Sequence, residues 1–142
     1  MKSRRIDIGT VLVFDTGEEV ASALTDFAKK NNISGAHFTA IGAFSDAGIG
    51  YFDWQKKDYV NNPVDEQVEV VSLIGDIALD EGKPKVHAHV VVGKSNGTTM
   101  GGHLLKAHVR PTLELVLHDA GEQLQRKFDP QSGLALIDLG QK

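Results

Sequence analysis

The 142-residue chain contains no cysteine. That absence removes disulfides, thiolate-bound zinc and a cysteine nucleophile together, so any transition metal must be held by His, Asp or Glu. Long apolar runs are missing as well. No stretch approaches the roughly 20 residues that a helix needs to cross a bilayer, and Met1, Lys2, Ser3, Arg4 and Arg5 lead into mixed sequence rather than the apolar segment of a signal peptide. The expectation is a cytoplasmic protein without membrane contact. Clustered basic residues are scarce. With 15 Lys and Arg against 19 Asp and Glu, and a formal net charge of −4, the surface lacks the cations that give sequence-independent affinity for phosphates. Lys2, Arg4 and Arg5 form the one dense group, and a terminal trio of that kind is ordinarily a solvated end. No glycine-rich phosphate loop precedes a helix, and no Gly-x-Ser-x-Gly elbow occurs. The length leaves room for one domain, residues 1–142, with a core over about 6–138.

What is present is mostly strand-like. Ile6, Ile8, Val11 and Val13 mark a first strand interrupted near Gly9. Thr16-Gly17-Glu18-Glu19 has the form of a capping box, and Val20, Leu24, Phe27 and Ala28 follow at helical spacing. One helix is therefore expected from about Gly17 to Lys30, ended by Asn31 and Asn32. Strands follow at 35–43, closed by Gly42, and at 48–54, and Asn61-Asn62-Pro63 reads as a turn. Residues 66–79 alternate, with Val68, Val70, Ser72 and Ile74 on one face and Glu69, Val71, Leu73 and Ile77 on the other. A loop at 80–84 leads to a strand at 85–93, which Ser95-Asn96-Gly97 turns into a hairpin with 98–105. Further strands are expected at 110–118, 124–128 and 134–139. One helix with many antiparallel strands predicts an α+β domain, a largely antiparallel sheet with one main helix packed on a face. Several strands are apolar on both sides, which in a short chain predicts a second copy covering what the lone helix cannot.

Chemistry concentrates in histidine. In Lys85-Val86-His87-Ala88-His89-Val90, the period of two places His87 and His89 on one face, about 6–7 Å apart at the backbone. Two imidazoles at that spacing can converge on one ion, or they can simply be the polar face of a sheet. His103 follows Gly101 and Gly102 on the returning strand, where it can join the pair. Three neutral imidazoles with an open position form the ligand set of a catalytic zinc, and other divalent ions also fit. His108, Arg110, Thr112, Glu114 and His118 share a face; Glu114 is available to support a ligated imidazole or to pair with Arg110. Glu69 is a second carboxylate for such support. His37 reads as a core or interface histidine, and Asp76, Asp80 and Glu81 as a solvated acidic turn.

Taken in order, several segments resemble the plants-and-prokaryotes conserved (PPC) domain family: Gly17-Glu18-Glu19-Val20, Phe38-Thr39-Ala40-Ile41-Gly42-Ala43, Tyr51-Phe52-Asp53 and Glu69-Val70-Val71-Ser72-Leu73-Ile74-Gly75. The likeness continues through Lys83-Pro84-Lys85-Val86-His87-Ala88-His89-Val90, Gly101-Gly102-His103-Leu104 and Thr112-Leu113-Glu114-Leu115. It implies a compact unit on a largely antiparallel sheet, assembly as a homotrimer, and retention of the family's histidine positions at His87, His89 and His103. Plant relatives join the domain to AT-hook segments, and prokaryotic relatives often bear a DNA-binding label. This chain has no Arg-Gly-Arg-Pro core, so direct nucleic-acid binding is not expected from it. The resulting expectation is a homotrimer that binds a divalent metal, zinc first, through His87, His89 and His103. If it catalyses, the reaction would be hydrolytic chemistry on a small substrate by metal-activated water. The rivals are a trimeric module that recruits DNA or protein partners without catalysis, and a sensor of a small-molecule ligand.

Overall fold

The computed structural model describes residues 1–140. Its elements are β1 (Lys2–Ile6), β2 (Gly9–Phe14), α1 (Val20–Lys30), β3 (Gly35–Asp53), β4 (Asp58–Val64), β5 (Val68–Asp80), β6 (Lys83–Gly93), β7 (Thr99–Asp119), β8 (Gln125–Asp129) and β9 (Leu134–Asp138). The expectation of an α+β domain, a largely antiparallel sheet with one main helix packed on a face, is overturned: 66% of the described residues are strand and 8% helix, and they form one large mixed sheet with one short helix. The reason lies in strand length. β3 and β7 run for 19 and 21 residues where the sequence reads as shorter pieces. Their register with neighbours shifts near Gly42, Phe44 and Gly48, so bulges bend these strands without ending them.

Long bent strands let the sheet cover itself. The first half of β3 pairs with β5 on one side and with the end of β7 on the other, while its second half pairs with β4 and the middle of β7. β6 bridges β5 to the start of β7. The four strands β3, β5, β6 and β7 thus form a ring of ladders around a core that includes Phe38, Phe44, Leu73, Ile77, Val90, Val92, Val109, Leu113 and Leu115. Against this core α1 buries Val20, Leu24 and Ala28. Closing a sheet on itself buries apolar side chains without a second layer. No helix among the described residues is long and apolar enough to cross a membrane.

Local details refine the reading of the sequence. The helix begins three residues later than expected, and Glu19 is its N-cap, its carboxylate accepting from the amides of Ala21 and Ser22 at 3.2 and 2.8 Å. Thr16 does not cap: its hydroxyl donates to the Pro111 carbonyl at 2.9 Å. At the other end Asn31 is the C-cap and Asn32 takes the left-handed backbone at φ 54. Asn61-Asn62-Pro63 lies inside β4 rather than in a turn. Among the described residues β4 pairs only with β3, so it is an edge, where proline's missing amide proton is tolerated. Glu81 and Gly82, both at positive φ, make the tight turn between β5 and β6.

Candidate metal centre

Three conditions bring the histidines together. Strand alternation in β6 sends Ala88, Val90 and Val92 into the core and leaves His87 and His89 on the outer face. The turn after β6 is closed by Lys94 N–H to Thr98 carbonyl and Gly97 N–H to Lys94 carbonyl, both at 2.8 Å. The Asn96 side-chain oxygen accepts from the Thr98 amide and hydroxyl at 3.0 and 2.7 Å. This fixed turn sets the register that places His103 directly opposite His89. Gly102 provides the third condition. A Cβ there would lie 2.5 Å from the Gly50 carbonyl oxygen, so only glycine lets β7 pack this closely on β3 beside His103.

The imidazoles of His87, His89 and His103 each offer a ligand atom, and these atoms all lie within 4.8 Å of one another. Ring centroids are 5.0 Å apart for His87 and His103, 5.2 Å for His87 and His89, and 5.6 Å for His89 and His103. Tyr59 of β4 stacks on His103 with centroids 4.3 Å apart, and burial pushes its hydroxyl pKa up. Burial, then the neighbouring His87 and His89, pushes His103 down to about 4, and burial followed by His87 lowers His89. Both rings are therefore neutral at pH 7, the form that ligates metals. His103 Nδ1 is buried without a hydrogen-bond partner among the described residues. A buried imidazole nitrogen left unpaired is costly, and an ion bound through it would satisfy it, so the residues present fit a divalent metal.

Asp76, read from sequence as part of an acidic turn, instead stands opposite His87 in the β5–β6 ladder. Its Oδ2 lies 3.6 Å from His87 Nδ1, and its Oδ1 accepts from the Arg126 guanidinium. Burial alone would raise the Asp76 carboxyl; the His87 imidazole and the Arg126 charge together outweigh it and hold it below the usual carboxylate range. The alternation of 66–79 hid this residue, because a register shift between Val70 and Ser72 exchanges the faces of β5 from that point on. Its neighbour in the other direction is His37, which stacks on His118 with centroids 4.7 Å apart. A cleft of about 470 Å³ lined by His37, Thr39, Ile74, Asp76, His87 and His89 opens on the side of the cluster formed by His87 and His89.

Glu69 and Glu114 lie elsewhere. They line a separate cleft of about 500 Å³ with Ile41, Val71 and Thr112, and none of the three histidines borders it. His108 is held by Asp46, Nδ1 to Oδ1 at 2.8 Å, and takes no part in the cluster.

Fold and site together define a class: a self-covering β-sheet domain bearing an open cluster of three imidazoles on its outer face. Residues 1–120 match the model of the Plants and Prokaryotes Conserved (PCC) domain. The chain belongs to that family. Solved structures agree. A metal-containing protein from Archaeoglobus fulgidus is 38% identical, with a TM-score of 0.84 over 96% of this chain and 99% of that one. A protein from Bacteroides thetaiotaomicron, named for DNA binding only as a conjecture, is 27% identical with a TM-score of 0.94, over 99% of this chain and 98% of that one. The bifunctional protein GlmU of Synechococcus sp. (strain JA-3-3Ab) is 32% identical over 120 residues; that stretch is 82% of this chain and only 18% of GlmU.

Proposed function

We propose that the chain is a homotrimeric, single-domain protein that binds a divalent metal through His87, His89 and His103, with zinc the ion best matched to three imidazole ligands. The observation that carries this reading is the convergence of the three ligand atoms within 4.8 Å, one ring having its buried Nδ1 unpaired. The metal content named for the A. fulgidus protein supports it. Three protein ligands leave a coordination position open, and a metal bound in that way supplies Lewis acidity and a water acidified toward neutrality. Around it, the chain's own residues give a cleft of about 470 Å³ with Ile74 and Thr39 on its wall, sized for a small molecule. Hydrolytic-type chemistry on a small substrate is the reaction class that this arrangement serves.

Trimer assembly is supported by the open face of the ring. Ile41, Ile74 and Val71 are 62%, 56% and 55% exposed there, an apolar surface that a second copy would cover. Elemental analysis of protein purified without a histidine tag tests the metal. The expectation is one bound ion per chain, lost in His87→Ala with His89→Ala; a wild-type chain that stays empty on zinc titration would overturn it.

The conjecture in the B. thetaiotaomicron protein's name favours a second reading, a trimeric module associated with DNA. The net charge of −4 weighs against it. DNA binding by the isolated chain that persists at moderate salt and is indifferent to the histidines would favour this second reading over the first.

A further inference from the structure

We infer that Asp76 is a positioning residue of the three-histidine centre, setting the tautomer and orientation of His87, and that Arg126 of the C-terminal hairpin holds Asp76 for that task. The inference rests on the metal reading for its purpose, but not for its geometry.

Asp76 and His87 are cross-strand partners with their side chains on one face, so the backbone ladder itself brings them together. The carboxylate divides its two oxygens. Oδ1 accepts from Arg126 Nη2, and Oδ2 faces His87 Nδ1 at 3.6 Å. That second distance is longer than a hydrogen bond, yet short enough that a carboxylate favours a proton on the nitrogen facing it. With Nδ1 carrying the proton, the lone pair of His87 is left on Nε2, free for an ion. A carboxylate able to rotate would set this preference poorly, and here it is not free to rotate.

Arg126 supplies the restraint. Its side chain is 6% exposed, and Nη1 donates to the Ala135 carbonyl at 3.2 Å, which ties the guanidinium to the partner strand of its own hairpin. The hairpin is docked in turn. The Leu79 amide donates to the Leu124 carbonyl at 2.8 Å, the Leu124 amide to the Ser34 carbonyl at 3.1 Å, and Leu79 pairs with Gln125 in the sheet's parallel contact. A guanidinium is a rigid planar fork, so fixing it fixes the carboxylate it binds. Its Nε is buried without a partner among the described residues. Burial of an incompletely satisfied charge does not favour stability, which points to placement rather than strength as the use of this residue. Arg126 lies beyond the 1–120 stretch that matches the family model, so the support reaches the centre from a segment outside that match.

The test compares full-length wild type with Asp76→Asn, Asp76→Glu and Arg126→Gln. In metal-free protein, imidazole ¹⁵N NMR should show His87 protonated on Nδ1 in wild type and a shift toward the Nε2-protonated form in Asp76→Asn. Zinc affinity, measured by competition with a chelator, should fall about 10–100-fold in Asp76→Asn. A smaller loss is expected in Arg126→Gln, and Asp76→Glu should recover part of it. An unchanged His87 tautomer in Asp76→Asn, or zinc affinity within twofold of wild type, would overturn the inference. If Arg126→Gln fails to fold, Asp76→Asn decides alone. If wild type takes up no zinc, the metal reading fails, while the tautomer measurement still judges the role of Asp76.

Discussion

His89 and His103 stand directly opposite one another across the β6–β7 ladder, their rings nearly perpendicular at 85°. Burial first, and then the neighbouring imidazoles of His87 and His89, disfavour a proton on His103. Its folded pKa of about 4 lies below the ordinary 6.5, so between those values the unfolded chain binds more protons than the folded one. The stability that this group contributes is present in full above pH 6.5 and is lost as the pH falls through 6.5 toward 4. NMR titration of metal-free protein should give His103 a midpoint near 4, and His103→Phe should flatten the pH dependence of urea unfolding across this window. A midpoint at or above 6 would contradict the burial argument.

Gly75 is predicted to tolerate nothing larger. A Cβ at that position would overlap both the His87 carbonyl oxygen and the ring of Phe38, which is itself 1% exposed. Gly75→Ala should therefore cost about 1–3 kcal/mol in urea unfolding and, on the metal reading, reduce zinc uptake through displaced His87. Wild-type stability in this variant would show that β5 and β6 can separate without penalty.

Charge placed on the open sheet face should separate subunits without unfolding them. Ile41 and Ile74 are more than half exposed in the single chain, so Ile41→Asp with Ile74→Asp removes little from its core. On the trimer reading, sedimentation is expected to shift from trimer to monomer while the thermal transition remains cooperative. A double variant that sediments as wild type would exclude this face as the contact.

The start of the helix distinguishes two candidate caps. Glu19→Ala should lose about 1 kcal/mol, because its carboxylate accepts from two otherwise unpaired amides, those of Ala21 and Ser22. Thr16→Ala removes one exposed hydrogen bond to Pro111 and should cost less. Thermal unfolding of the two variants gives the order directly.

The clustering of His87, His89 and His103 was legible from sequence because its determinants are short-range. Alternation put His87 and His89 on one face, and Ser95-Asn96-Gly97 announced the turn that returns His103. Asp76 was not legible, since a bulge between Val70 and Ser72 reverses the alternation on which its orientation depends. Arg126 is 50 residues from its partner, and no local pattern links them. The architecture was misjudged for a related reason. Gly42 and Pro63 look like strand terminators, but in β3 a bulge absorbs the glycine, and in β4 an exposed edge accommodates the proline. The ring of β3, β5, β6 and β7 depends on pairings far apart in the chain, so a sheet that covers itself could not be told from one covered by its helix.

The hairpin of β6 and β7 has one further consequence, and it is kinetic. All three imidazoles lie between His87 and His103, joined by a single tight turn, so loop-closure entropy for bringing them together is small. Hairpins of this kind form in about 1–10 μs, well before ladders of high sequence separation such as β3 with β7. On the metal reading, an ion would be captured while the rest of the self-covering sheet is still unformed, and metal availability would then act on the rate of folding.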